Sequence, residues 1–211
     1  MPIISRMPQL IEAVNTTIEY HAEAVTALDQ AIGDGDHVIN LQRGLQALMT
    51  QRDELVVLDW SVALQKIGMT LMSTVGGASG SLFGTLFVTM SKAAKDKPLD
   101  LVNFTNAFAQ GVDAVKLRGK ADVGEKTMLD VLVPVAVVLH EAMVNAEPMP
   151  KLFERVNCAA VTGVEATRDM LATKGRASFL AERSLGHIDA GAKTSQLMIA
   201  AVIDVLSATP A

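Results

Sequence analysis

Apolar residues recur at three- and four-residue intervals along most of the chain, the spacing that gathers them on one face of an α-helix. Ile11, Val14, Ile18 and Val25 mark a first helix ending near Leu28, and Val38, Leu41, Leu45 and Leu48 mark a second. Trp60, Leu64, Ile67 and Leu71 give a third, residues 82–90 a fourth, and Leu101, Phe104, Phe108, Val112 and Val115 a fifth. The sixth, over 128–143, is apolar on nearly every face and is expected to lie deepest. Phe153, Val156, Ala160, Val164 and Leu171 mark the seventh, and Met198, Ala201 and Val205 the eighth. Strands at 129–138 and 86–90 would instead make an α/β protein. Against them, no period-2 alternation bounded by hairpin turns appears, and Pro134 is out of place in a central strand. Within a helix, Pro134 is expected to force a kink.

Composition agrees with the helical reading. Half the residues are apolar but only 4% are aromatic, so the apolar load is Ala, Val, Leu, Ile and Met, which suits close-packed helices. The 211 residues fit a single domain, 1–211, folded as an all-α, eight-helix, antiparallel up-and-down barrel or bundle. Net charge is -5 without a basic run, which argues against a nucleic-acid surface. The lone Cys158 lies in an apolar run and is expected to be a buried packing residue in a reducing compartment. The first residues carry no apolar signal block, and the most apolar stretch is too short for a bilayer, so a cytoplasmic location without membrane contact is expected.

The connections fall into two kinds. Those near 51–56, 94–100 and 145–151 are ordinary polar or proline-containing turns. Those at 29–37, 75–81, 119–126 and 173–191 hold most of the glycines and many ionisable residues. Alternate connections of an up-and-down array lie at one end, so all four are expected to meet there and form one site.

The first of these loops carries Asp29, Asp34 and Asp36 around Gly33 and Gly35. Three carboxylates so close repel one another unless a cation compensates, and Mg2+ prefers such oxygen ligands. The register is wrong for an EF-hand, since the third ligand position would be Val38 and no closing Glu follows. A solvated turn with Asp36 capping the next helix is the plain alternative. The second loop, Gly76-Gly77-Ala78-Ser79-Gly80-Ser81, opens an apolar helix and suits an anion at a helix N-terminus, although a tight helix–helix turn would use the same residues. In the third, Gly119 would allow close approach to a base or sugar and Met128 would pack on the base. An ordinary charged turn explains that loop equally well. In the fourth, Arg176 and Arg183 suit phosphate oxygens, or would pair with Glu182 and Asp189. His187 suits a phosphate or a helix cap.

Taken in order, these loops resemble the nucleotide-binding L subunit of dihydroxyacetone kinases. The resemblance rests on Asp29 with Gly33-Asp34-Gly35-Asp36-His37, then Asn40 and Arg43-Gly44. It continues through Gly68 to Ser73, Val75 to Gly80, Arg118-Gly119-Lys120, Gly124-Glu125-Lys126-Thr127-Met128 and the 174–191 stretch. It implies an eight-helix barrel with Mg2+, two ions in all, held by Asp29, Asp34 and Asp36 and bridging the phosphates of ADP or ATP. His37, Asn40, Ala78 and Ser79 would contact phosphates or ribose. Gly119, Met128 and Arg176 would surround the nucleotide, with Asp189, Ala190 and Gly191 closing over it. It further implies a sugar-binding K subunit that holds the ketose on a histidine, so that this chain supplies donor and metal rather than acid–base chemistry. A phosphotransferase M subunit of the phosphotransferase system, a transcription regulator and a role in glycerol metabolism are implied as well. Another short ketose such as a tetrulose, or a nucleotide-loaded regulatory role, are the rival readings. Four positions depart from the family pattern: Val38 and Ala181 stand where glycine is usual, and Ser81 and Ala190 where proline is usual.

Overall fold

The computed structural model describes residues 3–208. Nine α-helices are described: α1 (Met7–Tyr20), α2 (Ala22–Ile32), α3 (His37–Leu55), α4 (Trp60–Thr74), α5 (Gly77–Ala94), α6 (Leu101–Gly119), α7 (Leu129–Val144), α8 (Met149–Ala166) and α9 (Ala190–Ser207). Short 3-10 segments lie at Ile3–Arg6, Thr167–Asp169 and Arg176–Ser184, and no strand occurs among the described residues. The expected first helix is a bent pair, α1 and α2. Backbone hydrogen bonds run across the bend at His21, from His21 N–H to the Thr17 carbonyl and from Val25 N–H to the His21 carbonyl.

Each helix packs on its neighbour in sequence, from α3 to α9, while α1 packs on both α3 and α9. With α1 and α2 counted as one rod, eight rods close into a ring around one apolar core. The regular stripes explain this. In α1 and α2 the buried Ile11, Asn15, Ile18, Val25 and Ile32 keep one face inward. The ring also corrects two expectations. In a closed ring every helix has an outer face, so α7 lies no deeper than the others, and its Val137 is 51% exposed. Cys158 is exposed on the outer face of α8, because Leu152, Val156, Ala160 and Val164 claim the inner one.

Pro134 lies inside a continuous α7. Its missing N–H leaves the Asp130 carbonyl without its helical partner. That carbonyl faces α8 at Gly163, where a Cβ would overlap the Asp130 oxygen, so only glycine admits this approach. At the far end of the ring the connections are simple. Asp100 caps α6 by accepting from Asn103 N–H at 2.7 Å, and Trp60 Nε1 donates to the Lys97 carbonyl at 2.7 Å. No helix among the described residues is long and apolar enough to cross a membrane.

Candidate functional site

The four unusual loops meet at one end of the ring, around a cleft of about 440 Å³. Asp29, Asp34, Asp36, His37, Asn40, Ala78, Ser79, Gly119, Met128, Arg176, Asp189, Ala190 and Gly191 all line it. Asp29 sits on the last turn of α2, and Asp34 and Asp36 follow in the link to α3. A carboxylate oxygen from each lies within 4.8 Å of the others. Two glycines make this possible. A Cβ at Gly33 would overlap the Asp29 carboxylate, and Gly35 takes φ +77°, a left-handed turn. Asp29 is further held by the His37 N–H, which donates to its Oδ2 at 3.1 Å. An all-oxygen, triply acidic set fits a hard divalent cation such as Mg2+.

Acidic and basic side chains both line the cleft, Asp29, Asp34, Asp36 and Asp189 with Arg118, Lys126, Lys174 and Arg176. Burial raises the Asp189 carboxyl to about 7, and nearby Asp130 and Asp29 add to the effect against the Ala192 N–H and Lys126. Burial also lowers the pKa of His37 below the usual imidazole range, outweighing the pull of Asp29 and Asp36. Arg176 of the fourth loop pairs with Asp34. That pairing, rather than one with Glu182 or Asp189, is a contact the sequence did not suggest.

Four helices, α3, α5, α7 and α9, begin at this end, and their dipoles point positive ends into the cleft. Three of these ends are answered by carboxylates of the chain itself. Asp29 accepts from His37 N–H of α3, and Asp130 accepts from Gly124 and Thr127 N–H at 2.6 and 2.8 Å before α7. Asp189 accepts from Ala192 N–H of α9 at 2.7 Å. The start of α5, at Gly76 and Gly77, has no side-chain cap. Gly76 also leaves room for Asn40, whose amide a Cβ there would meet at 2.7 Å. The His37 ring stands beside this terminus, 3.0 Å from Ser79 Oγ and 2.9 Å from Thr194 Oγ1.

The third and fourth loops are tied together. Glu125 accepts from Asp122 N–H at 2.7 Å and Thr173 Oγ1 at 2.9 Å, and pairs with Lys174 at 3.3 Å. Lys126 is 1% exposed, and its ammonium donates to the carbonyls of Thr167 at 2.5 Å, Met170 at 3.3 Å and His187. The fourth loop is largely a 3-10 segment rather than structureless. The His187 side chain is exposed, so it neither caps a helix nor lines the cleft.

The four departures are accommodated differently. Val38 is a core residue at 1% exposure. Ser81 Oγ accepts from Arg118 Nε at 3.0 Å, which replaces a rigid proline by a cross-loop hydrogen bond. Ala190 opens α9, a first-turn position where proline is also at home. Ala181 sits at φ 49°, ψ -126°, where a Cβ is strained. Ala181→Gly is therefore expected to stabilise the protein by about 0.5–1 kcal/mol, read from urea unfolding. An unchanged or lower midpoint would show that the strain is absent.

Asp130 and Thr194 were missed at the sequence level, and Lys126 was placed in the third loop without a role. Asp130 had a signal, because Thr127 three residues ahead makes a cap-like pattern at a helix start. Lys126 and Thr194 had none, since their partners lie on distant segments.

Comparison with known proteins gives the family and the fold. A family model, the DAK2 domain, matches residues 31–204. The ADP-binding subunit DhaL of PEP-dependent dihydroxyacetone kinase 1 from Listeria innocua is 40% identical over 186 residues, 88% of each chain. The corresponding Escherichia coli subunit is 40% identical over 179 residues, 84% of this chain and 85% of its own. Among solved structures, the dihydroxyacetone kinase of C. freundii in complex with AMP-PNP and Mg2+ superposes with a TM-score of 0.69 at 22% identity. That match covers 94% of this chain and 33% of that one, and it establishes a shared fold. The chain belongs to the DAK2 domain family.

Proposed function

We propose that this chain is the nucleotide-binding subunit of a dihydroxyacetone kinase, and that residues 1–211 act as one nucleotide-binding domain. The observation that carries this is the uncapped N-terminus of α5 in the same cleft as three clustered carboxylates. One attracts phosphate oxygens and the other a divalent cation, and a Mg2+-nucleotide carries both. Asp29, Asp34 and Asp36 would hold the metal, two ions in our reading. The N–H groups at Ala78 and Ser79 would take phosphate oxygens, with His37 and Asn40 beside them. Leu82, Val115, Gly119 and Met128 give the cleft its apolar wall, suited to a base. Arg176 would leave Asp34 once a cation neutralises that carboxylate, freeing its fork for phosphate. Asp189, Ala190 and Gly191 complete the wall at the start of α9.

When bound, the metal neutralises charge on the phosphates undergoing transfer. The chain's own part is to align the donor. The acceptor, a short ketose, would be presented by a separate sugar-binding subunit that also supplies the acid–base group. Two relatives at 40% identity are named as ADP-binding subunits of PEP-dependent kinases. That favours a resident ADP rephosphorylated in place by a phosphotransferase subunit over exchangeable ATP.

Native mass spectrometry of the freshly purified protein, followed by acid release of bound nucleotide, tests this. Retained ADP with Mg2+ is the expected result. A protein isolated empty that binds Mg2+-ATP reversibly would make it an ATP-dependent subunit. Binding of neither nucleotide would refute the reading of the cleft.

A further inference from the structure

Of the lysines and arginines that line the cleft, all but Arg118 are already engaged. Arg176 pairs with Asp34, Lys174 pairs with Glu125 at 3.3 Å, and the Lys126 ammonium donates to backbone carbonyls. Arg118, in the last turn of α6, makes no ion pair among the described residues. Asp122, the acidic residue that follows it most closely in the chain, is paired with Lys116 at 2.8 Å instead. The side chain of Arg118 is nonetheless held, because its Nε donates to Ser81 Oγ of α5 at 3.0 Å. That bond takes the N–H on the stem of the guanidinium and leaves both terminal amino groups and the flat face uncommitted.

The surroundings of this pair are aliphatic. Ser81 is next to Leu82 in the chain and Arg118 is next to Gly119, so the bonded pair belongs to the apolar wall of the cleft and not to the acidic cluster. No Phe, Tyr or Trp lines the cleft among the described residues, so that wall carries no aromatic ring for a base to stack on. Gly119 adds an independent observation. A Cβ there would make only ordinary contacts, with Leu82 at 3.5 Å and Ala121 at 3.9 Å, so packing does not require glycine. A flat ligand lying close to the end of α6 does.

We propose that Arg118, held in place by Ser81, is a specificity-determining residue that stacks its guanidinium on the base of the nucleotide and favours a purine. A guanidinium is planar, stacks on π-faces and is weakly hydrated, and a purine offers it a larger face than a pyrimidine. Stacking supplies the aromatic contact that the aliphatic wall lacks, and it needs no carboxylate partner. The proposal rests on the Mg2+-nucleotide reading of the cleft. A plainer role for Arg118, a cation answering the C-terminal dipole of α6, calls for neither the bond to Ser81 nor a place on the cleft wall.

The test is calorimetry on the full chain freed of nucleotide by dialysis against a chelator, titrated with Mg2+-ADP and with Mg2+-UDP. The two ligands share ribose and diphosphate, so their ratio of affinities reads the base alone. Wild-type protein should prefer Mg2+-ADP. Arg118→Ala should weaken Mg2+-ADP about threefold to tenfold and Mg2+-UDP by less, so that the preference shrinks. Arg118→Lys keeps the charge without the plane and should lose as much as Arg118→Ala. Ser81→Ala frees the guanidinium without removing it and should give a smaller loss in the same direction. The melting temperature of each ligand-free variant should stay at the wild-type value, since Arg118 is exposed. Equal losses for the two ligands would make Arg118 a ribose or phosphate contact and overturn the proposal. Full affinity for Mg2+-ADP in Arg118→Ala or in Arg118→Lys would overturn it too. Wild-type protein that binds neither ligand would refute the nucleotide reading itself, whereas wild-type binding with unchanged variants would refute only the role of Arg118.

Discussion

Asp36→Ala is expected to abolish measurable Mg2+-ADP binding while slightly raising the melting temperature of the ligand-free protein. The two effects have one origin. Asp36 shares a cluster in which a carboxylate oxygen from each of three residues lies within 4.8 Å of the others. Like charges at about 4 Å repel by about 1 kcal/mol even at the dielectric of water, so removing one relieves the empty cleft. Nothing structural is lost in exchange, because Asp36 is exposed and makes no side-chain cap to α3. Ligand binding responds in the opposite sense. Partners that merely orient metal ligands are worth about 10–100-fold, and a direct ligand is expected to exceed that range. Wild-type protein at a hundredfold excess of Mg2+-ADP over Kd should gain about 2.7 kcal/mol of stability, and the variant close to none. Differential scanning fluorimetry with and without Mg2+-ADP reads both. A variant that keeps the ligand-induced shift would remove the acidic cluster from the binding site.

Lys126→Met should cost about 3–5 kcal/mol of stability, the largest effect expected of any single side chain outside the acidic cluster. Replacing buried charges by apolar groups is often neutral when every polar partner is replaced too. Here the partners are backbone carbonyls of Thr167, Met170 and His187, which no side-chain substitution removes. Methionine would fill the volume but leave these oxygens short of donors, although Thr167 would keep the Met170 N–H at 3.3 Å. Burial lowers the pKa of Lys126 from the usual lysine range, so part of the gain from deleting the charge offsets this loss, but the stranded carbonyls dominate. A fall of this size is a large share of the stability of an ordinary domain. Urea unfolding measures it, and a loss below about 1 kcal/mol would show that the carbonyls find water instead. Because the same ammonium joins the end of α8 to the segment leading into Asp189, the variant should also become more open to proteolysis between 170 and 188.

Much of the fold was legible because its signals are local. The three-and-four spacing in α3, α4, α5 and α6 marked the helices, since each stripe is read from residues within a few turns of one another. The site was legible for a related reason. In an up-and-down ring, chain order alone places alternate loops together, so Asp29, Ser79, Gly119 and Asp189 could be assigned to one end before any contact was known. The errors were also informative. Cys158 lies in an apolar run, yet its angle on α8 turns it outward. The sixth helix is apolar almost all round, yet ring closure leaves Val137 of α7 exposed.

By itself, then, the sequence determined the helices, their order and the end at which the acidic and glycine-rich loops gather. It also determined that Gly35 could turn and that the carboxylates of the first loop would be close. Only the tertiary structure decided which groups answer one another across that end. It paired Arg176 with Asp34, set Lys126 beneath three carbonyls, and placed Thr194 and Ser79 on either side of the His37 ring. The physical reason is range. Periodicity and turn chemistry act between near neighbours and are written in the order of residues. Hydrogen-bond partners drawn from α3, α5, α9 and the segment after α8 meet only because the closed ring packs those elements side by side, and a hydroxyl or ammonium carries no mark in the sequence of the oxygen it will find.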